Sequence, residues 1–497
     1  MVPIMTQEQP KKMDRRNFLG YTIAAVAGLV VGAAATYTMF PQHVTTTSTV
    51  TTATTVTSAT TSTITSTASA PSSTSTSTTI ASPTIVSATA TGGTTINILA
   101  QDTNVWDIED KLLDQCYSET GVRAVIAFYS EDDRRAKELL DASTHAGAFQ
   151  VYYVDEANIA TMAANKWIYP IQDYYPSDGN FSDFFSSYTN TLSYNGTPYG
   201  APMYGEADMN FYRTDLIGPN TSISLPVTLD DFLNAATKLQ NPPSIYGCGT
   251  RGARGSGANV WRWSPYLVRF GGTYLDASNN PVFNSPEAVA ATAYYIKLIK
   301  LAPSPTMLWS DVLSDYEAGK EAIMEDANGF YDYVDNQSES VAYNKFAVSI
   351  PCKNSDTGIN VSATSCHGLG ISTYGCPTDA LRKAAGAFIG WWTNTTNELN
   401  RVNGGAGISI ARTSTLNSSA MAGKYPANYL QTVSACIPIQ KLCIPQIAAW
   451  PEIGDYLGIN LEELFTAAYS GTTVTDAMIK ASLDDAVAYA KNVLSST

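Results

Sequence analysis

Basic residues are scarce in this sequence. It has 29 Lys and Arg against 44 Asp and Glu, a formal charge of −15, and no Lys/Arg cluster follows the first 20 residues. Binding to the phosphates of a nucleic acid needs a concentrated basic face. The charge balance therefore argues against a nucleic-acid partner.

Histidine is also rare, and the usual enzyme signatures are missing. The three histidines, His43, His145 and His367, lie far apart, and without an H-E-x-x-H or C-x-x-C pair no zinc site is predicted. The G-x-S-x-G and G-x-x-x-x-G-K-[ST] motifs are absent too. We therefore predict no metal, no cofactor and no catalytic residue. Carboxylates are plentiful, so a glycosidase pair stays open.

One glycine motif needs a separate test. The stretch from Gly247 to Gly252 spells G-x-G-x-x-G, the sequence of a dinucleotide-binding loop. That loop follows a hydrophobic strand at the start of a βαβ unit. Here the residues Asn241 to Ser244, which include two prolines, would interrupt such a strand. The motif instead predicts a flexible polar loop that leads to Trp261 and Trp263.

The first 40 residues resemble an export signal. Asp14 to Leu19 resembles a twin-arginine motif, and the uncharged stretch Phe18 to Phe40 is long enough to span a bilayer. We predict a cytoplasmic region at 1–17 and a membrane anchor at 18–40, which places the protein on the extracytoplasmic face of the membrane. Cleavage near Ala33 to Ala35 would release it instead.

The next segment is a compositional boundary. From Thr45 to Ala90 the chain is almost entirely Thr, Ser, Ala and Val with no charge, a composition that cannot bury a core. It predicts a disordered stalk at 41–94 that holds the rest of the protein away from the membrane.

Seven cysteines in an exported chain permit disulfides, although the odd count leaves at least one free. Cys436 and Cys443 are the nearest pair in sequence and the first candidate for a bridge. Seven Asn-x-Ser/Thr triplets are compatible with a glycoprotein. They begin at Asn180, Asn195, Asn220, Asn336, Asn360, Asn394 and Asn417.

Beyond Gly93 the hydrophobic pattern indicates alternating strands and helices. A strand at 96–100, a helix at 105–119 and a strand at 122–129 form a βαβ opening, and further strands are predicted at 149–154 and 342–350. Helices are predicted at 133–142, 228–239, 286–299, 379–392 and 475–493. This alternation predicts an α/β fold with its ligand site at strand ends or a domain junction.

Aromatic side chains recur in the predicted loops. Flat rings offer apolar faces to the C–H faces of a sugar, while Asp, Glu, Asn and Arg can bond its hydroxyls. The aromatic residues are Trp106, Tyr129, Tyr204, Trp261, Trp263, Tyr331 and Trp450. They favour a carbohydrate ligand, although many aromatic residues serve only in the core.

Several ordered segments together resemble the family 1 extracellular solute-binding proteins of ABC transporters, the maltose-binding type. They span Thr95 to the C-terminus. The segments are Gly196–Glu206 with Phe211–Leu216, Thr228–Leu239, Phe270–Gly272, Phe283–Ala288, Tyr316–Met324, Gly404–Gly405 with Ala411–Arg412, and Gly471–Ala481. No single motif is diagnostic, but the ordered set is specific.

The resemblance implies a two-lobed, periplasmic-binding-protein-like type II α/β fold with a hinge. The first lobe would hold 95–206 and 366–415, and the second 207–365 and 416–497. It further implies a monomer that closes around a carbohydrate (a sugar, oligosaccharide or polyol) and delivers it to the permease subunits of an ABC importer.

The resemblance also implies ligand-binding positions. Glu206 falls on a cleft carboxylate at the hinge, Trp261 and Trp450 on sugar-stacking positions, and Asn259 on a polar neighbour. Trp106, Asp155 and Glu156 fall in ligand-facing loops after strands. The predicted set is completed by Tyr204, Arg254, Tyr331 and Gly405. Gly329 departs from the family pattern, which usually has a tryptophan there.

Two other function classes remain open on the sequence: a cell-surface structural or adhesion glycoprotein and a secreted glycoside hydrolase. A hydrolase would release product, and a structural protein would assemble without ligand. A binding protein would do neither.

Overall fold

A computed structural model describes residues 83–89, 92–103, 106, 109–219, 221–404 and 409–496. The predicted cytoplasmic region, the predicted anchor at 18–40, most of the predicted stalk, Asn220 and Gly405 lie outside these residues. Within them, no helix has both the length and the apolar character needed to cross a membrane.

The strands range from two to 13 residues, and the longest joins the two halves of the sheet. They are β1 (Thr84–Ser87), β2 (Thr94–Gln101), β3 (Val122–Tyr129), β4 (Val151–Asp155), β5 (Ser193–Tyr194), β6 (Thr197–Pro198), β7 (Ala201–Arg213), β8 (Tyr246–Gly249), β9 (Glu321–Ala327), β10 (Phe346–Ser349), β11 (Ser362–Ile371) and β12 (Gln440–Lys441).

Helices connect most of these strands. They are α1 (Glu109–Thr120), α2 (Glu131–Ser143), α3 (Ile159–Ala164), α4 (Ser186–Thr191), α5 (Leu229–Leu239), α6 (Ala258–Arg269), α7 (Pro286–Ile299), α8 (Trp309–Glu317), α9 (Tyr331–Val334), α10 (Asp379–Trp392), α11 (Thr395–Gly404), α12 (Thr413–Leu416), α13 (Ser419–Lys424), α14 (Ala427–Cys436), α15 (Trp450–Tyr469) and α16 (Asp476–Leu494).

The predicted α/β alternation is confirmed. The βαβ opening is β2, α1 and β3, and the helices predicted at 286–299 and 379–392 have the predicted bounds. Capping explains this accuracy, since the side chains of Ser285 and Thr378 accept hydrogen bonds from backbone N–H groups of the first turns of α7 and α10.

The end of the predicted stalk is part of the fold. Residues Thr84–Ser87 form β1, which pairs antiparallel with β3 from Val125 to Phe128. Ala88 is buried, and the Thr89 hydroxyl donates to the Asp114 carboxylate over 2.7 Å. The threonine-rich composition concealed this strand because Thr, Ile and Val suit a sheet edge as well as a solvated chain.

One mixed sheet organises the molecule, in the order β1-β3-β2-β4-β11-β7-β9-β8. Parallel β2, β3 and β4 lie toward one end, and the parallel pair β8 and β9 lies at the other. The long strand β7 joins them: Ala201 to Ala207 pair with β11, and Asp208 to Tyr212 pair with β9. A single strand therefore belongs to both halves.

Two large hydrophobic clusters follow from this order. The first lies around β2, β3, β4 and α10, and the second around α5, α6, α7, α15 and α16. Residues of α14, including Tyr429 and Val433, pack in the first cluster although their segment was predicted for the second lobe. The exact lobe boundaries stay a prediction.

The glycine motif at 247–252 is not a flexible loop. Gly247 and Gly249 lie in β8, where a methyl group would collide with the carbonyl oxygen of Ala236 at the first position and with the Glu321 carboxylate at the second. A methyl at Gly252 would meet the Pro305 carbonyl oxygen. These glycines permit close packing of a strand and its turn, and no dinucleotide loop is formed.

The predicted Cys436–Cys443 bridge is wrong. All seven cysteines are buried and free. The Cys436 thiol lies 3.6 Å from the carbonyl oxygen of Asp208, and the Cys443 thiol lies 3.4 Å from that of Lys441. Each thiol therefore donates a hydrogen bond to a different backbone carbonyl oxygen.

Thiol labelling tests this arrangement. The native protein is expected to react slowly with a disulfide reagent, because all seven thiols are buried and burial raises the pKa of Cys436 and Cys443 to about 12. After denaturation without reductant, all seven should react. Recovery of only five thiols would show that a disulfide forms.

Candidate ligand-binding cleft

A cavity of about 730 Å³ lies between the two halves of the sheet. One wall comes from the end of β2, the start of α2 and the residues after β4. The other comes from the loop after β8, the start of α6 and the N-terminal turn of α15. The crossing strands β7 and β11 form the floor, so ligand contacts would reach both halves.

The register of the crossing strands sets the chemistry of the floor. Glu206 on β7 is paired with Ser365 on β11, and Tyr204 is paired with His367. Because side chains alternate along a strand, all four point to the same face of the sheet. The Tyr204 ring stacks on the His367 ring with centroids 4.7 Å apart, and all four line the cavity.

Glu156 is held against this floor. Its carboxylate accepts hydrogen bonds from the Ser365 hydroxyl over 2.9 Å and from the Cys366 backbone N–H over 3.2 Å. Ser365 also lies 3.0 Å from Nε2 of His367. When Glu156 is ionised, the serine gives its one proton to that carboxylate, so Nε2 of His367 donates to the serine oxygen.

Burial sets the protonation of these groups. It lowers the pKa of His367 to about 3, so the imidazole is neutral. Burial, assisted by the charge of Asp155, raises the pKa of Glu156 to about 7. Burial also raises the pKa of Glu206 to about 7, against the opposing charge of Arg251.

Glu156→Gln is expected to raise the free energy of unfolding by about 3 kcal/mol near pH 8 and by less than about 1 kcal/mol near pH 5. The folded-state pKa of Glu156 is raised, so its contribution to stability is fully present below the unfolded-state pKa and is lost as pH rises through about 7. Urea unfolding of the ligand-free protein at both pH values measures this. Exposed Glu463 supplies the control variant Glu463→Gln, and an equal shift at both pH values would contradict the assignment.

Gly329 leaves room for the Glu206 carboxylate. A methyl group at Gly329 would lie 2.6 Å from Oε1 of Glu206 and 2.6 Å from the Ser409 hydroxyl. The position that the family usually fills with tryptophan is therefore occupied by polar groups. The exposed aromatics Trp309 and Tyr333, each 37% exposed, and the buried Phe330 line this side of the cavity instead.

Trp261 is positioned by two arginines. The guanidinium carbons of Arg251 and Arg262 lie 4.7 and 4.6 Å from its ring centroid. Arg251 forms a bidentate pair with Asp326, and Arg262 bonds Asp208 through both terminal nitrogens over 2.7 and 2.9 Å. The buried Arg262–Asp208 pair fixes α6 against the crossing strand β7, and the Arg251–Asp326 pair holds the loop after β8 against β9.

Six predicted site residues line the cavity: Glu156, Tyr204, Glu206, Arg254, Trp261 and Trp450. The Trp450 ring is held edge-on to Tyr274 with centroids 4.9 Å apart. Arg254 lies at the rim, where its guanidinium pairs with Asp455 over 2.7 and 2.9 Å.

Four other predicted residues do not line the cavity. Trp106 is buried and stacks on Trp392 with centroids 4.7 Å apart. Asn259 is fully buried and donates to the Gly458 carbonyl oxygen over 2.8 Å. Tyr331 stacks on Tyr429 with centroids 3.7 Å apart.

Asp155 is the fourth residue away from the cavity. It is buried beneath α2, where Arg134 donates to it and Arg135 donates through Nε over 2.9 Å. These guanidinium groups keep its pKa well below the usual range despite burial. Asp155 thus positions Arg135, which itself lines the cavity.

Sequence reasoning missed several cavity residues. Ser365 and His367 carry a detectable signal, because their i, i+2 spacing on a buried strand puts both on one face. Trp309 and Tyr333 carry none, since nothing local indicates which aromatic side chain will reach a distant cleft. No group of three or more metal-ligating side chains occurs among the residues for which the structure gives positions.

Comparison with known proteins identifies the family. The family model described as bacterial extracellular solute-binding protein matches residues 106–398. A mannitol-binding protein of Pseudomonas aeruginosa is 26% identical over 236 residues, which cover 46% of this chain and 53% of that protein. The chain thus matches about half the length of this relative.

Solved structures show the same fold. A ribitol complex of an ABC transporter solute-binding protein from Agrobacterium radiobacter aligns with a TM-score of 0.72 at 21% identity, over 81% of this chain and 99% of that one. A D-mannitol complex from Agrobacterium vitis aligns with a TM-score of 0.68 at 21% identity, over 80% and 99%. The two-lobed α/β fold of these proteins is therefore the fold of this chain, which belongs to the bacterial extracellular solute-binding protein family.

Proposed function

We propose that this protein captures a carbohydrate, in the broad sense of a sugar, oligosaccharide or polyol, between its two lobes and delivers it to an ABC importer. The observation that carries the proposal is the cavity of about 730 Å³, in which Trp261 and Trp450 face a floor with the carboxylates of Glu156 and Glu206. Aromatic faces and carboxylate acceptors are the groups that a polyhydroxylated ligand needs.

Closure is the mechanism that the connections favour. Strands β7 and β11 cross between the halves, and the Gln446 side chain bridges to the backbone carbonyl oxygens of Asn190, Thr191 and Ser193 over 2.9 to 3.0 Å. A ligand that touches both walls stabilises the closed arrangement by its differential contacts. The closed form then docks on the permease subunits.

The proposed location is the extracytoplasmic face of the membrane. The family is extracellular by its description, and residues 18–40 supply the anchor unless the signal is cleaved. The protein acts there as a monomer that needs no cofactor. Of the described glycosylation triplets, those at Asn180, Asn195 and Asn417 begin at exposed residues, and Asn195 lies at the turn between β5 and β6.

Titration of the purified full-length chain tests the proposal. Tryptophan fluorescence, followed by calorimetry, is measured against a panel of monosaccharides, disaccharides, oligosaccharides and polyols. We expect saturable binding by at least one class at micromolar concentration or below. Absence of a fluorescence or calorimetric response to every compound in the panel would contradict carbohydrate binding and direct the search to other solutes.

The same panel separates the other function classes. A glycoside hydrolase would convert a bound oligosaccharide to products, which chromatography detects, whereas we expect the ligand to be recovered intact. An adhesion protein would self-associate without ligand, whereas sedimentation is expected to give one monomeric species.

A further inference from the structure

The cavity wall has an excess of negative charge. Among the residues that the structure describes, seven Asp and Glu side chains line it against three Arg side chains. The following inference rests on the proposed function, because it concerns the chemical class of the ligand that the same cavity takes.

Each of the three arginines is already paired with protein carboxylates. Arg135 contacts Asp155 and Glu131 over 2.9 Å. Arg251 holds Asp326 and Arg254 holds Asp455, each in a bidentate pair. An anionic ligand would have to compete with these pairs for its counter-charge. The wall therefore disfavours sugar acids and phosphorylated sugars.

The floor carries two carboxylates that, unlike the arginines, are not in ion pairs. Glu156 and Glu206 flank Ser365, and neither forms an ion pair within the described part of the chain. Glu156 is bonded by Ser365 and Cys366, and Glu206 by the Ser409 hydroxyl over 3.4 Å. His367 beside them is neutral because burial lowers its pKa to about 3.

Among the residues whose positions are described, no neighbouring group supplies an unpaired cation either. The Tyr204 hydroxyl is bonded to the Tyr153 hydroxyl over 2.7 Å. The charged groups that act on Glu156 and Glu206 are Asp155, Arg135, Arg251, Asp326 and Asp208. The floor is thus dominated by acceptors and negative charge.

We propose that the ligand carries a protonated amine, as in an amino sugar or amino polyol, and that its ammonium group lies between Glu156 and Glu206. An ammonium group has three donors and no acceptor, so it matches a floor of acceptors better than a hydroxyl does. Its charge acts on two carboxylates at the floor of the cleft, where ion pairs are less screened than at a surface.

A matched trio of ligands tests this inference on the purified full-length chain. The trio is 1-amino-1-deoxy-D-sorbitol, D-sorbitol and D-gluconate, with D-glucosamine, D-glucose and D-glucuronate as the ring-shaped equivalents. Near pH 7.5 calorimetry should show the amine binding at least about tenfold more tightly than the neutral compound, with the acid weakest.

The pH dependence has a defined sign. As pH falls to about 5.5, Glu156 and Glu206 take up protons and lose their charge while the amine keeps its own, so the advantage of the amine should shrink to about threefold or less. The double variant Glu156→Gln/Glu206→Gln should show the same loss near pH 7.5. The exposed-site variant Glu463→Gln should keep the full advantage.

The outcomes are distinguishable. Equal or weaker binding of the amine, with the neutral compounds bound, would overturn this inference and leave the proposed function standing. No binding by either trio or by the wider panel would overturn both. The ligand comparison on the unaltered protein decides the matter even where the double variant fails to fold.

Discussion

Arg262→Met is expected to lower the free energy of unfolding by about 3 to 5 kcal/mol, the cost of breaking a buried ion pair by removing one partner. Arg262 is fully buried on α6 and bonds Asp208 through both terminal nitrogens. Without it, Asp208 on the crossing strand loses its main cation. Urea unfolding of the ligand-free protein measures the loss.

Arg254→Met is the matched control. Arg254 also forms a bidentate pair, but its side chain is 45% exposed and that of Asp455 is 52% exposed. A pair screened by water should contribute less than about 1 kcal/mol. The double variant Arg262→Met/Asp208→Asn should recover part of the stability lost in Arg262→Met, because it also removes the unpaired charge of Asp208. Equal losses for Arg262→Met and Arg254→Met would refute the importance of the buried pair.

Trp261→Ala is expected to weaken binding of the panel's best ligand by tenfold or more, since loss of a stacked aromatic face costs about 2 kcal/mol. Trp261 is partly exposed, lines the cavity and is held by two guanidinium groups. Calorimetry measures the affinity. The unfolding free energy should fall far less than in Arg262→Met, because the ring is not part of the two main cores.

Tyr469→Ala controls for general effects of removing an aromatic ring. Tyr469 is 37% exposed, lies outside the cavity and bonds the Pro303 carbonyl oxygen through its hydroxyl. Its removal should leave affinity within about twofold. Unchanged affinity in Trp261→Ala would remove this residue from the binding site.

The helices and strands were predictable where the signal is local. Alternating hydrophobicity located β3, and N-terminal capping residues located α7 and α10. β1 was missed because its threonine-rich composition is that of the preceding segment, and only pairing with β3 distinguishes it. Strand pairing between distant segments is not a local property.

The candidate site was predictable in part for the same reason. Trp261 and Glu206 follow from ordered family motifs. The predicted residues that pack away from the cavity do so because of partners distant in the sequence. Trp106 is covered by Trp392, and Tyr331 by Tyr429. No local pattern reveals that such a partner exists. Whether a residue near a strand end lines the cavity or packs in the core can therefore be decided only from its tertiary contacts.

The seven unpaired thiols bear on where this protein can reach its folded state. A fold closed by disulfides depends on an oxidising compartment. Here all seven thiols are buried and form no disulfide, and the cores are completed by hydrophobic packing and buried ion pairs. The folded state therefore requires no oxidant. The same fold can form in a reducing compartment as well as in an oxidising one.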